Sequence, residues 1–181
     1  MKPNIIAISS SPGTGKTSTS TIIAKELGAN LISISTLIKK HKIRYKLDKE
    51  RDTKILRISD LKKAVKKSVD RTKINIIDGH LSHLLNPKAT FVLICNPNVL
   101  RKRLLKRKWP LKKIDENVLA EMLDIILAEA DKPYKIDTTK LTAKQTASKI
   151  LKLIKNPELY KEKKHDWLQN YKELVIGMKH N

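Results

Sequence analysis

The chain has 181 residues, enough for one domain with a sizeable core. Its 39 Lys and Arg against 18 Asp and Glu leave a formal net charge of +21, which predicts attraction to polyanions and says nothing of fold. The single cysteine, Cys95, excludes an internal disulfide and a Cys-based zinc site, and no apolar stretch nears the roughly 18 residues that span a bilayer. A cytoplasmic, soluble protein with no signal peptide and no membrane partner is the expectation.

The first predicted strand is Ile5–Ser9, and a helix follows over Thr19–Leu27. Between them stands Ser10-Ser11-Pro12-Gly13-Thr14-Gly15-Lys16-Thr17-Ser18. Strand, glycine-bearing loop and helix in that order are what a phosphate-binding P-loop requires. Consecutive backbone N–H groups curl around phosphate oxygens, and the positive end of the helix dipole faces the same anion. Lys16 can then reach the β- and γ-phosphates, and the Thr17 hydroxyl can take a place on Mg²⁺. Ser10 replaces the first glycine of the usual pattern, so its backbone must lie in an ordinary region of φ/ψ space.

Further strands are predicted at Asn30–Ile34, Ile74–Asp78, Thr90–Cys95 and Tyr134–Asp137, each an apolar run of the kind buried on both faces of a parallel sheet. Helices are predicted between them. Ser59-Asp60 caps Leu61–Val69, Asn96-Pro97 opens the next helix, and Thr142 caps Ala143–Ile154. One long helix is predicted over Ile114–Asp131, with Ile114, Val118, Met122, Ile125, Ile126 and Ala130 near one face. After Asn156-Pro157, the spacing of Trp167, Leu168, Tyr171, Leu174 and Val175 predicts a C-terminal helix docked on the body. Alternating strands and helices point to an α/β fold with a parallel sheet.

A nucleoside triphosphate site needs a second Mg²⁺ anchor at the end of another strand, and Asp78 is the candidate; the competing reading makes it the cap of a short helix near Leu81. His80 and His83 follow in a D-x-H-x-x-H run that lacks the further ligands of a transition-metal site. His80 can orient a phosphate or a water, while His83 packs or caps. Arg101 to Lys113 carries eight bases and no acid. Within it, Arg103 and Arg107 share a helical face leading into Trp109-Pro110, a loop suited to a lid, whereas Arg101 and Lys102 read as exposed. Phosphoryl transfer asks mainly for positioning and charge neutralisation, which arginines supply. The Lys-rich surface has a second reading as the solvated coat of a heat-adapted protein.

Together these residues resemble the adenylate kinase isoenzyme 6 family, small nucleoside-monophosphate (NMP) kinases also tied to maturation of the small ribosomal subunit. The resemblance covers residues 3 to 155. It rests on Pro12 to Thr17, Glu50-Arg51-Asp52-Thr53, Asp78 with His80, Arg103-Leu104 with Arg107-Lys108-Trp109, Lys113-Ile114 onward to Asn117, and Glu129-Ala130. It implies the three-layer P-loop NTPase fold with a five-stranded parallel sheet. It also implies an NMP-binding region over about 35–70, a lid near 107–113 and a C-terminal helical extension over about 157–181. The activity implied is ATP plus AMP giving two ADP, with Mg²⁺. By the same resemblance Lys16, Asp78, His80, Arg103 and Arg107 serve catalysis. Pro12, Gly13, Thr14, Gly15, Lys16, Thr17, Ser18 and Arg107 hold ATP, Arg51, Ser35 and His80 hold AMP, and Thr17 with Asp78 holds Mg²⁺. The partners implied are a small-subunit ribosomal protein of the platform and rRNA. Ser10 and Lys108 stand where the family has glycine, which bears on turnover more than on binding. The alternative is an ATP-driven ribosome assembly factor with little NMP kinase turnover. A GTPase is disfavoured because no Asn-Lys-x-Asp motif is present, and Arg51-Asp52 favours a nucleotide over a shikimate-type acceptor.

Overall fold

Apolar runs of four to six residues build the strands, and amphipathic segments between them build the helices. The structure, a computed structural model, describes residues 4–48, 53–171 and 173. In chain order the elements are β1 (Ile5–Ser9), α1 (Lys16–Leu27), β2 (Asn30–Ser33), α2 (Ile34–Lys40), β3 (Tyr45–Asp48), β4 (Thr53–Leu56), α3 (Ile58–Ser68) and β5 (Asn75–Asp78). They continue with β6 (Ala89–Ile94), α4 (Pro97–Leu105), α5 (Leu111–Met122), α6 (Ile125–Glu129), β7 (Tyr134–Asp137), α7 (Ala143–Lys155) and α8 (Trp167–Asn170), with 3-10 turns at Ser82–Leu85 and Pro157–Leu159.

The main sheet is all parallel, in the order β2-β5-β1-β6-β7. Because β1 lies between β5 and β6, the winding of the chain reverses there. Open α/β sheets bind ligands in the crevice at the carboxyl ends of such strands. The register sets Asp78 beside both Ile8 and Ser33, so the end of β5 lies level with the start of the glycine loop.

Layering follows from which face each side chain takes. On one side Ile6, Ile8, Ile76, Phe91, Leu93 and Ile136 pack on Ile23 of α1 and on Ala147 and Ile150 of α7. On the other side Ile5, Ile32 and Ile77 meet Ile34 and Leu37 of α2 and Leu61 and Val65 of α3. A third cluster joins Cys95 to Leu100 and Leu104 of α4 and to Ile114, Val118 and Met122 of α5. The result is the three-layer P-loop fold around a five-stranded parallel sheet.

All five expected strands form, within one residue of the expected limits. Two starts form as expected: Asn96 Oδ1 accepts from the N–H groups of Asn98 and Val99, and Thr142 makes a capping box with Gln145. Four details differ. α3 begins at Ile58 after Arg57, with no side-chain cap, so Ser59 and Asp60 lie inside its first turn. There Asp60 meets the helix dipole and Lys63 Nζ at 4.0 Å. The long helix expected over 114–131 is broken in two at Asp124, whose φ of +51° cannot continue a right-handed helix. The Asp124 carboxylate is held there by His165 Nε2 at 2.9 Å. Among the described residues, the tail after Leu159 forms the short α8. Trp167 and Tyr171 pack against the third cluster and Leu168 is exposed, while Leu174 and Val175 lie outside the described residues. An antiparallel hairpin that was not anticipated, β3 with β4, pairs Tyr45 with Leu56 and Asp48 with Thr53.

Candidate functional site

Backbone geometry at the glycine loop is dictated by two residues. Gly13 and Gly15 have φ of +96° and +97°, a conformation that L side chains rarely take. A Cβ on Gly13 would also lie 2.8 Å from Leu100 Cδ1, so α4 closes directly over the loop. Gly15 begins α1 without any side-chain cap, and the first N–H groups of the helix are therefore open to an anion. Ser10 is not among the residues with positive φ. Its hydroxyl does more than fit: Thr14 Oγ1 donates towards Ser10 Oγ at 2.6 Å, and Ser10 Oγ donates to Ser11 O at 3.0 Å. Thr138 Oγ1, in the turn after β7, lies 3.1 Å from Thr14 O and 3.0 Å from Ile94 O, and so fastens the loop to the sheet.

Three of the expected residues converge at the end of β5. Thr17 Oγ1 donates to Asp78 Oδ2 at 2.9 Å, and Lys16 Nζ lies 3.6 Å from Asp78 Oδ1. Asp78 is 5% exposed, and its Oδ1 accepts no hydrogen bond among the described residues. A buried carboxylate oxygen without a donor, beside a hydroxyl and an ammonium, fits a hard cation that takes oxygen ligands and keeps water or phosphate in its other positions. The donor set therefore suits Mg²⁺. Asp78 does not cap the following turn, which starts at Leu81 without a side-chain cap. Immediately after it, Gly79 is held by its N–H to Ile8 O at 3.3 Å, and a Cβ there would lie 2.5 Å from Ile34 Cδ1.

The two histidines diverge. His80 stays solvent-accessible at the rim of this cluster, where crowding and then the Lys16 cation hold its pKa below the ordinary histidine value. His83 is buried, with Nδ1 2.9 Å from Ser9 Oγ and Nε2 3.0 Å from Glu129 Oε2. Ser9 Oγ also lies 3.0 Å from His80 O. The chain Glu129–His83–Ser9 thus anchors the turn that carries His80.

The arginines separate as well. Arg103 turns inward: its guanidinium reaches Cys95 Sγ at 3.5 Å and the carbonyls of Thr138 and Thr139 at 3.2 and 3.3 Å. Arg107 is exposed beyond the end of α4, 5.8 Å from the centre of the Trp109 ring, and among the described residues it has no contact with Lys16, Thr17 or Asp78. Arg101, expected to be exposed, instead pairs with Asp115 of α5 at 3.3 Å and is 28% exposed. That pair ties α4 to α5 beneath the turn between them. Ser35 lies in the first turn of α2, exposed, 2.8 Å from Ser33 Oγ. Arg51 lies outside the described residues.

Glu121 was not singled out by the sequence, yet it belongs to this region. It is 5% exposed in α5, and Oε1 accepts from the Cys95 N–H at 2.7 Å. Burial pushes its pKa up to about 7, against the opposing effect of polar groups from Ser11 of the glycine loop and the Cys95 N–H. The signal available was an acid, Glu121, among the core positions Ile114, Val118 and Met122 of one helix.

The family model of the AAA domain matches residues 6–124. A curated protein of Methanocaldococcus jannaschii, named "putative adenylate kinase", is 38% identical over 92% of this chain and 94% of its own. One of the same name from Archaeoglobus fulgidus is 34% identical over 94% of this chain and 96% of its own. The chain belongs to this adenylate kinase family. Among solved structures, a shikimate kinase from Acinetobacter baumannii in complex with shikimate has a TM-score of 0.58, 18% identity, and coverage of 87% of this chain and 96% of its own. That likeness carries the fold alone. Within the family fold, this chain brings the glycine loop, Lys16, Thr17 and Asp78 together at the switch point of the sheet. No helix among its described residues is long and apolar enough to cross a membrane.

Proposed function

We propose that the protein transfers the γ-phosphoryl group of Mg-ATP to a nucleoside monophosphate, with AMP as the acceptor. The observation that carries this reading is the cluster of Lys16, Thr17 and Asp78 below an uncapped helix start. The glycine-loop N–H groups from Gly13 to Ser18, with Pro12 shaping the entry, would cradle the β- and γ-phosphates. Lys16 would follow the charge on the transferring group. Thr17 and Asp78 would hold Mg²⁺, which when bound screens the phosphate charge. An acceptor oxygen forms a bond to the γ-phosphorus as the bond to the β–γ bridging oxygen breaks, so ADP leaves and the monophosphate becomes a diphosphate. His80, whose pKa its surroundings hold down, would donate a ring N–H to an oxygen of the acceptor phosphate, together with the Ser35 hydroxyl. Arg51 would grip that phosphate in bidentate fashion. Arg107, at the start of the lid over 107–113, would reach the γ-phosphate only when the lid closes. Arg103, already bound to the carbonyls of Thr138 and Thr139, would serve catalysis from behind the glycine loop by fixing the turn whose Thr138 hydroxyl meets Thr14 O.

The test is product analysis with ATP alone, ATP plus AMP, and ATP plus other monophosphates or shikimate. ADP formed at twice the rate of AMP loss supports the proposal; equal ADP formation with no acceptor overturns it. The net charge of +21 favours a second reading, an ATP-driven factor in small-subunit maturation that meets rRNA and a ribosomal protein of the platform. On that reading rRNA accelerates ADP formation and AMP does not. Its binding weakens with salt at a log–log slope near −0.7 per phosphate neutralised on single strands.

A further inference from the structure

The far edge of the sheet carries a second built feature. β7 lies two strands from β1, roughly 10 Å away. Residues after α7 run back across this edge and are fastened to it at several points. The Lys135 N–H donates to Tyr160 Oη at 2.9 Å, Lys135 Nζ meets Glu162 Oε1 at 3.3 Å and His165 Nδ1 at 3.1 Å, and His165 holds Asp124. Under this strap lies a cavity of about 500 Å³ between it, β7 and α7. Lys149, Lys161, Lys163 and Lys164 line it with the rings of Tyr160 and Trp167. None of these four lysines makes an ion pair among the described residues, whereas the nearby Glu162 is taken by Lys135, and Asp137 Oδ1 by the Thr139 N–H and hydroxyl. The Trp167 indole N–H is buried with no acceptor among the described residues.

We propose that this cavity is a second nucleotide site, separate from the glycine loop, that takes a nucleoside phosphate. Its volume lies within the roughly 300–1,000 Å³ of small-molecule sites. Four unpaired ammonium groups supply point charges for phosphate oxygens. The rings of Tyr160 and Trp167 at its wall supply aromatic surface for a planar base. Phosphate charge alone would account for the lysines but not for the rings.

The chain has two tryptophans, so Trp109→Phe leaves Trp167 as the sole reporter. In that background, fluorescence is titrated with ADP, AMP, tripolyphosphate and a short oligoribonucleotide, and repeated with Lys16→Met and with Lys163→Glu/Lys164→Glu. A saturable response to ADP is expected that survives Lys16→Met and weakens at least about tenfold with the two glutamates, a loss of about 1.4 kcal/mol. Lys149→Glu, on a different element, is expected to weaken it in the same direction, with unchanged circular dichroism and melting temperature in every variant used. Loss of the response in Lys16→Met would assign it to the glycine loop and overturn the proposal. So would indifference to both lysine changes, equal affinity for tripolyphosphate, or a response to the oligoribonucleotide alone. The Lys16→Met arm keeps this outcome apart from the fate of the kinase reading.

Discussion

Lys108 adopts a φ of +55° in the turn between α4 and α5, a conformation that favours glycine. A side chain in the left-handed region costs roughly 1–2 kcal/mol, and glycine returns part of that as extra freedom of the unfolded chain. Lys108→Gly is therefore expected to stabilise the protein by about 0.5–1 kcal/mol, read as a melting temperature some 2 °C higher. The contrasting residue is Lys16, whose ammonium balances a buried carboxylate as well as any bound phosphate. Lys16→Met should lower kcat at least about a hundredfold while circular dichroism stays native. Wild-type turnover in that variant would remove the glycine loop from the chemistry. Cys95 is inert by position: burial pushes its thiol pKa up to about 11, although Arg103 pulls the other way.

At the scale of elements, α7 depends on its start. Thr142 and Gln145 satisfy each other's backbone N–H groups, so Thr142→Ala should cost about 1 kcal/mol and lower the melting temperature by roughly 2–4 °C. That cap was legible because Thr142 and Gln145 are three residues apart in the chain, and the strands were legible because runs such as Ile74-Asn75-Ile76-Ile77 are apolar without interruption. The hairpin of β3 and β4 was not, since Tyr45 to Asp48 offers a single short alternation among basic residues. Nor was the break at Asp124, where helical periodicity continues on paper and His165, 41 residues away, holds the Asp124 carboxylate. The site divides in the same manner. Gly13 to Thr17 and Asp78 are readable from local order, while the Ser9–His83–Glu129 anchor and the Glu121–Cys95 bond join residues 74, 46 and 26 positions apart.

Glu121 sets a property of the whole molecule. Below about pH 4.5 its carboxyl is protonated both folded and unfolded, and folding carries no charge penalty from it. Between about 4.5 and 7 the unfolded chain releases the proton and the native protein keeps it, so stability falls as pH rises across that window and levels off above it. The cost is about 3 kcal/mol at most. In Glu121→Gln, melting temperature against pH should lack this descending component relative to wild type, and identical curves for the two would show that the carboxyl titrates normally. The charge of +21 acts on the same scale but oppositely to packing, since mutual repulsion of lysines weakens the compact state and salt relieves it.

The hydroxyls of Ser10, Thr14 and Thr138 brace the glycine loop from within and from the sheet. A loop held in this way is expected to take an anion without reshaping, with no fraction of the population in an incompetent form. Stopped-flow mixing with ATP should then give a single exponential whose rate rises linearly with ATP concentration, and Thr138→Val should introduce a plateau set by loop reordering. That pair of results would assign the bracing hydroxyls to speed of capture rather than to tightness.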